Sequence, residues 1–402
     1  MKSGSGLPPC PLFFQDGRVA GKYLRYTVAP IILVAGAPLV LVRLFLAILG
    51  SIVFVALAFL VNLGTDAAKP LPRARDKFCV GLFHWYSLYI SVVTGYFYTV
   101  KNEQLSHHKD APVVVANHSS IMDAFTFSLK CFGHPVGKEG VLNNWAIRQI
   151  FLAARVVIVR RPPSAEMREL LQLYTSPSAS EAEIISLNPQ DENIPARDAE
   201  KIAKYQKLLE RRKAFGIAGT SEILWNRVHD SENEWKQIVL FPEGTVTPAS
   251  CFTRFKTGAF RLNVPVQPVT VRYRSILSTC WLSDSVLFNL YKILANPVTL
   301  VEMEFHEPMS RASEETPRAF ADRVGKYMAD ALGAVYTNYT NDDMLYFYGY
   351  KNISACTEDW IRDYGWMQRL TDFSARFGIN PNFGIDQEFV DKCYLQHLKE
   401  KK

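Results

Sequence analysis

Residues 113–125 read VVVANHSSIMDAF and set a histidine, His118, five positions ahead of an aspartate, Asp123, just past an apolar β-branched run. Val113, Val114 and Val115, flanked by Pro112 and Asn117, have the pattern of a short buried strand, so His118 falls just beyond a strand end. Ser119 or Ser120 can cap a helix opening at Ile121, with Asp123 in its first turn. One turn of backbone then folds the carboxylate back onto the imidazole. A carboxylate accepting the Nδ1 proton fixes the tautomer and leaves Nε2 free to take a proton from a hydroxyl, the arrangement of a general-base dyad. Taken alone, the spacing suits equally a structural loop histidine, with Asp123 complementing the helix dipole.

A second constellation is VLFPEGTVTPASCFTRFKTGAF, residues 239–260. A strand, QIVLF, runs into Pro242, Glu243, Gly244 and Thr245, which places another acid and a pliable backbone at a strand end. Gly244 permits close approach of the backbone to a ligand. In isolation such a tetrapeptide is a plain strand-to-loop turn.

The elements that must position these groups alternate. Strand-like runs recur at 154–160 (ARVVIVR), 236–241 (KQIVLF), 264–273 (VPVQPVTVRY) and 298–305 (VTLVEMEF), with helical patterns between them such as NNWAIRQIFLAA and AEKIAKYQKLLERRKAF. Strands alternating with helices imply an α/β sandwich with a largely parallel sheet, whose functional groups gather beyond strand ends. Residues 175–197, rich in Ser, Pro, Ala and acid, read as a flexible surface insertion. No internal repeat is present. Beyond Thr357 the sequence reads as a helical tail, broken by INPNFGID before a last basic helix.

The apolar share of 48% and the mean hydropathy of -0.01 are high for a purely soluble enzyme. The excess lies near the N-terminus, where Val28 to Val61 is almost wholly apolar, interrupted by Pro30, Pro38 and Arg43, and Leu44 to Val61 is about long enough to cross a bilayer. The run starts too late for a cleavable signal peptide. Basic flanks on both sides (Arg18, Lys22, Arg25; Lys69, Arg73, Arg75, Lys77) favour a hairpin or re-entrant segment over a single span. Arg43 would then sit at the bend or snorkel. The aromatic stretch from Phe78 to Val100 suits a helix lying at the membrane interface. A net charge of +6 fits anionic headgroups or a polyphosphate ligand, and no zinc-finger or RNA-binding signature points to nucleic acid. Seven scattered cysteines without a C-x-x-C favour free thiols and neither a metal nor a disulfide framework.

Together the two constellations resemble the blocks N-H-x4-D and F-P-E-G-T of the glycerolipid acyltransferase family. RVVIVRR (155–161) looks like that family's second block and VPVQPVTVRY like its fourth, and the resemblance covers roughly residues 78 to 340. The wording is closest to the lysophosphatidylcholine and lysophosphatidylethanolamine acyltransferases, with an extended third block and a continuation resembling RVGKYMADALGAVYTNYTNDDM (323–344). Two departures stand out. Arg155 and Arg160 occupy places where the second block commonly has a glycine and a small or acidic residue, so the motif arginine is Arg161 or Arg160, with Arg161 the better fit. The tail also lacks the D-x-D-x-D-G calcium loop that some lysophosphatidylcholine enzymes carry.

The resemblance implies an acyltransferase-type αβα sandwich with a mixed, largely parallel central sheet, plus N-terminal membrane-embedded helices. It implies three regions: a membrane-anchoring 1–105, with an apolar hairpin or span at about 28–63 and an interfacial helix at about 78–100; a catalytic 106–310; and a helical extension over 311–402. The implied reaction moves a fatty acyl group from acyl-CoA, a co-substrate needing no cofactor or metal, to the free hydroxyl of a lysophospholipid. His118 would be the base and Asp123 its orienting partner. Asn117, Arg160, Arg161, Glu243, Gly244, Thr245 and Lys256 would bind substrate. Arg161 and the Gly244 backbone would meet phosphate, and Glu243 would hold the arginine or an acceptor hydroxyl. Lys256 would meet phosphates of CoA or headgroup, or else be a surface lysine. Thiolate is already a good leaving group, so no acyl-enzyme is required and Cys131 reads as core packing. The expected membrane is the endoplasmic reticulum, with the catalytic region cytosolic. The alternative acceptors are glycerol 3-phosphate and lysophosphatidic acid. A lipase would show a G-x-S-x-G elbow, which is absent, and a silent scaffold would need none of His118, Asp123 and Glu243.

Overall fold

The computed structural model describes residues 28–343 apart from residue 68 and the stretches 107–109, 161–162, 215–218, 232–234, 248–250 and 282–284. The N-terminal and aromatic regions give α1 (Ala29–Ala35), α2 (Ala37–Asn62), α3 (Arg73–Thr94) and β1 (Tyr96–Lys101). There follow β2 (Val113–Ala116), α4 (Asp123–Lys130), β3 (His134–Lys138), α5 (Trp145–Ala153) and β4 (Val157–Val159). Next come α6 (Ala165–Tyr174), α7 (Glu181–Ser186), α8 (Ala196–Ala214), α9 (Thr220–His229), β5 (Ile238–Leu240) and β6 (Cys251–Phe252). The last are β7 (Val266–Ser275), α10 (Val286–Ala295), β8 (Thr299–Phe305), α11 (Pro317–Leu332) and β9 (Val335–Tyr336). The helical tail expected beyond Thr357, and Cys10, Cys356 and Cys393, lie outside the described residues.

The chain divides into two compact units: residues up to 52 with 83–132 and 239 onward, and residues 53–82 with 133–238. In the first, strands run in the order β1-β8-β7-β2-β5. β1 is parallel to β8 and β2 to β7, while β7 and β8 are antiparallel, so the sheet is mixed. All four residues of β2 are buried, which is why that strand reads as a continuous apolar run and not as an alternation. Side chains along β7 alternate faces. Tyr273 meets Thr126 of α4 (Oη to Oγ1, 3.0 Å), whereas Arg272 donates to the carbonyl of Leu332 at the end of α11. Helices thus cover both faces of this sheet, with α11 burying Phe320, Ala321, Val324, Met328 and Leu332.

In the second unit β3 and β4 pair in parallel. A buried ion pair ties α8 to the segment after β3: Arg212 Nε and Nη2 each lie 3.0 Å from an oxygen of Glu139. The segment 175–197, expected to be a flexible insertion, carries the short helix α7. Ser180 caps α7 by accepting from the Glu183 N–H, and Ile184 is buried against Leu171, Tyr205 and Leu209. Gln206 Nε2 donates to the carbonyls of Ile184 and Leu187, 2.8 Å each.

Two expectations for the N-terminal region are corrected. The interfacial helix does not continue to residue 100: α3 stops at Thr94, Gly95 takes φ 75, and Tyr96–Lys101 form a strand. Nor does the chain double back within 28–63, because α2 runs unbroken through Arg43. The hairpin is made by α2 and α3, which pack antiparallel. Tyr89 Oη donates to the Leu46 carbonyl (2.6 Å), Ser51 Oγ meets Tyr86 Oη (2.6 Å), and Arg75 Nη1 donates to the Val61 carbonyl (3.3 Å). Arg43 neither bends the helix nor snorkels. Its guanidinium donates to the carbonyls of Leu294 (2.8 Å) and Pro297 (3.2 Å) at the C-terminal end of α10, where a cation also complements the helix dipole. α2 is long and apolar enough to cross a membrane, and most of it is uncovered by protein. Leu41, Phe45, Ile48 and Ile52 are all exposed, which marks the protein as membrane-associated.

Candidate active site

His118 stands two residues past the end of β2, and α4 begins at Asp123, two residues later than the serine caps predict. No side chain caps the helix, and the carboxylate of Asp123 reaches back from its first turn to the loop before it. Its Oδ2 accepts from the backbone N–H of Ser119 (2.9 Å) and Ser120 (3.1 Å), and the same oxygen takes His118 Nδ1 at 2.6 Å. Oδ1 accepts from Tyr273 Oη at 2.5 Å. Four donors therefore converge on a carboxylate with no exposed surface, which compensates the burial of its charge. Burial first, and then the charge of Asp123, push the Tyr273 phenol well above its ordinary pKa, so it remains a donor.

The imidazole is held on its other sides as well. Phe241 stacks on it with ring centroids 4.4 Å apart and planes inclined by 23°, and Phe127 meets Phe241 edge-on. The His118 side chain is 27% exposed against 0% for Asp123. Among the described residues Nε2 has no partner, so the nitrogen opposite the aspartate is the one open to solvent.

The second loop is stitched to the first by backbone. The Thr247 N–H donates to the His118 carbonyl (2.7 Å), and the His118 N–H donates to Glu243 Oε1 (3.1 Å). Pro242 and Glu243 form a turn closed by the Gly244 N–H on the Phe241 carbonyl (3.0 Å), after which Gly244 takes φ 73. Glu243 is wholly buried, its Oε2 accepting from Thr247 Oγ1 (2.5 Å) and the Thr253 N–H (3.3 Å). Burial outweighs these donors and raises the carboxyl to about 8. The Lys256 side chain lies over Gly244, since a Cβ added there would be 2.7 Å from Nζ.

Residues 98–272 match the family model described as Acyltransferase. The match covers 175 of the 402 residues, an acyltransferase-like domain. Its curated relatives include human lysophosphatidylcholine acyltransferase 1, 41% identical over 118 residues that make up 28% of this chain and 22% of that protein. Lysophosphatidylcholine acyltransferase 2 of Rattus norvegicus is 42% identical over the same shares, and human lysophospholipid acyltransferase LPCAT4 is 38% identical over 26% of this chain and 21% of its own length. The chain thus aligns with about a fifth of the length of these relatives. The crystal structure of the 1-acyl-sn-glycerophosphate (LPA) acyltransferase PlsC from Thermotoga maritima compares with a TM-score of 0.46 at 16% identity, over 75% of this chain and 95% of that one.

Within the acyltransferase domain, the first unit brings together His118, Asp123, Glu243, Gly244 and Lys256, with Thr245 next along the loop. Asn117 is differently employed. Its amide is buried and bridges to β7, accepting from the Val271 N–H and donating to the Val271 carbonyl, 2.8 Å each. That clamp fixes where β2 ends. Glu243 holds backbone and Thr247 instead of an arginine or an open hydroxyl site. Arg160 belongs to the second unit, where it ion-pairs with Glu181 and its backbone N–H donates to Thr220 Oγ1 (3.2 Å). Arg161 lies outside the described residues. Sequence reasoning missed Tyr273, Thr247 and the stacking role of Phe241. All three stand in the quoted blocks, yet only the pairing of β2 with β7, Ala116 opposite Val269, shows that Tyr273 reaches Asp123.

Proposed function

We propose that the protein is an acyl-CoA-dependent O-acyltransferase that acylates the free hydroxyl of a lysophospholipid, lysophosphatidylcholine or lysophosphatidylethanolamine. One observation carries the reading: His118 Nδ1 is held at 2.6 Å by a buried carboxylate while the opposite edge of the ring is open. In that tautomer Nε2 takes the proton of the acceptor hydroxyl as its oxygen attacks the thioester carbonyl. The carbon–sulfur bond then breaks, and the imidazolium, stabilised by Asp123, returns the proton to the departing thiolate. The named relatives, lysophosphatidylcholine acyltransferases among them, agree with this chemistry and with the choice of acceptor. Lys256 over Gly244 offers a cation beside the same loop, suited to a phosphate of either substrate. The fit of a single phosphodiester charge, against the two of a phosphomonoester, favours a lysophospholipid over glycerol 3-phosphate or lysophosphatidic acid. We place the enzyme in the endoplasmic reticulum membrane with this domain facing the cytosol, where acyl-CoA is found.

The test is release of CoA thiol by membranes containing the protein, given acyl-CoA and the four acceptors in competition. Lysophosphatidylcholine or lysophosphatidylethanolamine should be consumed first, and His118→Ala should lower turnover at least about a hundredfold. Wild-type turnover in a folded alanine variant refutes the dyad. Preference for glycerol 3-phosphate or lysophosphatidic acid refutes the choice of acceptor alone.

A further inference from the structure

The second unit holds a cavity of about 230 Å³, lined by none of the residues of the His118 site. Its floor is the end of α5. There the Arg155 N–H donates to the Leu152 carbonyl (3.1 Å) and the Val156 N–H to the Phe151 carbonyl (3.0 Å). This is the paired closure that ends a helix on a left-handed residue, a position glycine normally fills. Here it is Arg155, at φ 51. A side chain in that conformation is strained, so the chain holds an arginine where its own backbone geometry favours glycine.

The guanidinium is buried, only 3% exposed, and lines the cavity. Nη1 donates to the Leu152 carbonyl at 2.9 Å. Nε and Nη2 have no partner among the described residues. These two N–H groups form the edge of a guanidinium that takes both oxygens of a carboxylate or phosphate side by side. The same molecule displays that edge in use, because Arg212 engages Glu139 through its own Nε and Nη2. Among the described residues Arg155 presents it with nothing opposite.

A second cation stands beside it. Arg227 lies over the Trp235 ring, 4.3 Å from the centroid, and its Nη1 donates to the Arg155 carbonyl at 2.5 Å. Burial, and then the charge of Arg155, lower Arg227 to about 10. His134, buried nearby, is pushed well below its ordinary pKa by burial and then by Arg227, Lys236 and Arg155, a sign of concentrated positive charge. Two acids temper it. Asp230 lines the cavity and accepts from Trp235 Nε1 (3.0 Å), and the charge of Asp66 reaches Arg155. Among the described residues its walls carry two arginines and one aspartate, an excess of positive charge. Leu142, Phe151, Ile158 and Ile223 make the remaining walls apolar. At roughly 30 Å³ per water the space holds about eight waters, the room needed by a ligand of on the order of ten heavy atoms. Water there would meet the open N–H groups and leave the charge uncompensated.

We propose that this cavity binds a small amphipathic monoanion, a carboxylate on a short apolar body, with its two oxygens on Arg155 Nε and Nη2 and its body against the aliphatic wall. The site lies within the second unit and is independent of the acyl-transfer reading. The experiment uses the full chain in detergent, with octanoate, 1-octanol and inorganic phosphate as probes, read by calorimetric titration and by thermal unfolding. Octanoate should bind saturably and raise the unfolding temperature with concentration, while octanol and phosphate should bind at least tenfold more weakly. Arg155→Gly should unfold without ligand at the same or a higher temperature than the wild type, because it relieves the strain, and should lose the octanoate response. Arg155→Lys, which keeps the charge and loses the paired edge, should bind octanoate at least tenfold more weakly. Equal binding of octanol would reduce the site to an apolar void, and preference for phosphate would remove the apolar body from the ligand; either overturns the proposal. So would an Arg155→Gly variant that unfolds earlier and still responds to octanoate, since Arg155 would then be a structural cap.

Discussion

Two opposed demands meet on the Glu243 carboxyl. Three protein donors favour its charged form, but the site excludes water, and burial wins by raising the group to about 8. The consequence for stability follows from proton counts. Between about 4.5, where the unfolded chain releases this proton, and about 8, where the folded chain does, the folded state binds more protons. Rising pH across that window therefore favours unfolding, and the contribution of Glu243 is complete below the window and lost above it. Thermal unfolding followed from pH 5 to pH 9 should show a decline in the wild type that is flatter in Glu243→Gln. Equal slopes in the two proteins would mean that Glu243 is ionised throughout. The residues that meet at this site differ in how far the sequence reveals them. His118 and Asp123 are legible because five positions and one turn decide their meeting. Tyr273 is 150 positions from the carboxylate it serves, and only strand register decides that contact. Asn117 is visible as a member of a motif, but nothing local tells whether its amide faces a ligand or, as it does, the backbone of β7.

Among the elements, the buried strands and the helices α5 and α8 follow from apolar period and caps, such as Asn144 accepting from the Ile147 N–H. β1 does not, because Tyr96–Val100 continues the aromatic character of α3 without a change of composition. The switch is one residue. At Gly95 the chain takes φ 75, and an added Cβ would lie 2.7 Å from the Pro297 carbonyl oxygen and 2.8 Å from Arg43 Nη2. Gly95→Ala should then destabilise the protein by at least about 1–2 kcal/mol, the cost of the left-handed conformation alone, with the clash in addition. Gly81, inside α3 with nothing within 4 Å of an added Cβ, is the matched control. Gly81→Ala should stabilise by about 0.5–1 kcal/mol. Chemical denaturation of the two variants separates the readings: similar effects at both sites would show that Gly95 is not the switch from helix to strand. The insertion at 175–197 eluded composition for a related reason. Its Ser and acid content, the usual mark of an unfolded segment, serves here to cap a short helix whose Ile184 is buried.

At the scale of the whole molecule the question is how this chain meets a bilayer. Among the described residues α2 alone is both long and apolar enough to cross, about 39 Å at 1.5 Å per residue against a hydrocarbon core of about 30 Å. Its partner does not suit a crossing, for α3 opens with Arg73, Arg75, Asp76 and Lys77 and is pinned there by the Asp76–Lys236 ion pair at 2.8 Å. At its other end the hairpin is also held by polar groups, with Arg43 on the carbonyls at the C-terminal end of α10. From a helix pair with charges at both ends and an exposed apolar face along Leu41, Phe45, Ile48 and Ile52 we propose a hairpin that lies in one leaflet. Both ends of the hairpin then remain on one side, together with the acyltransferase domain that follows it. Glycosylation acceptor sites placed at Gly4 and in the 175–197 segment should both stay unmodified in microsomes, and both regions should be open to protease added from the cytosolic side. Modification at Gly4 alone would mean that α2 crosses the membrane. The hairpin would then be a span, and the carbonyl contacts of Arg43 would mark the depth at which the chain enters the bilayer.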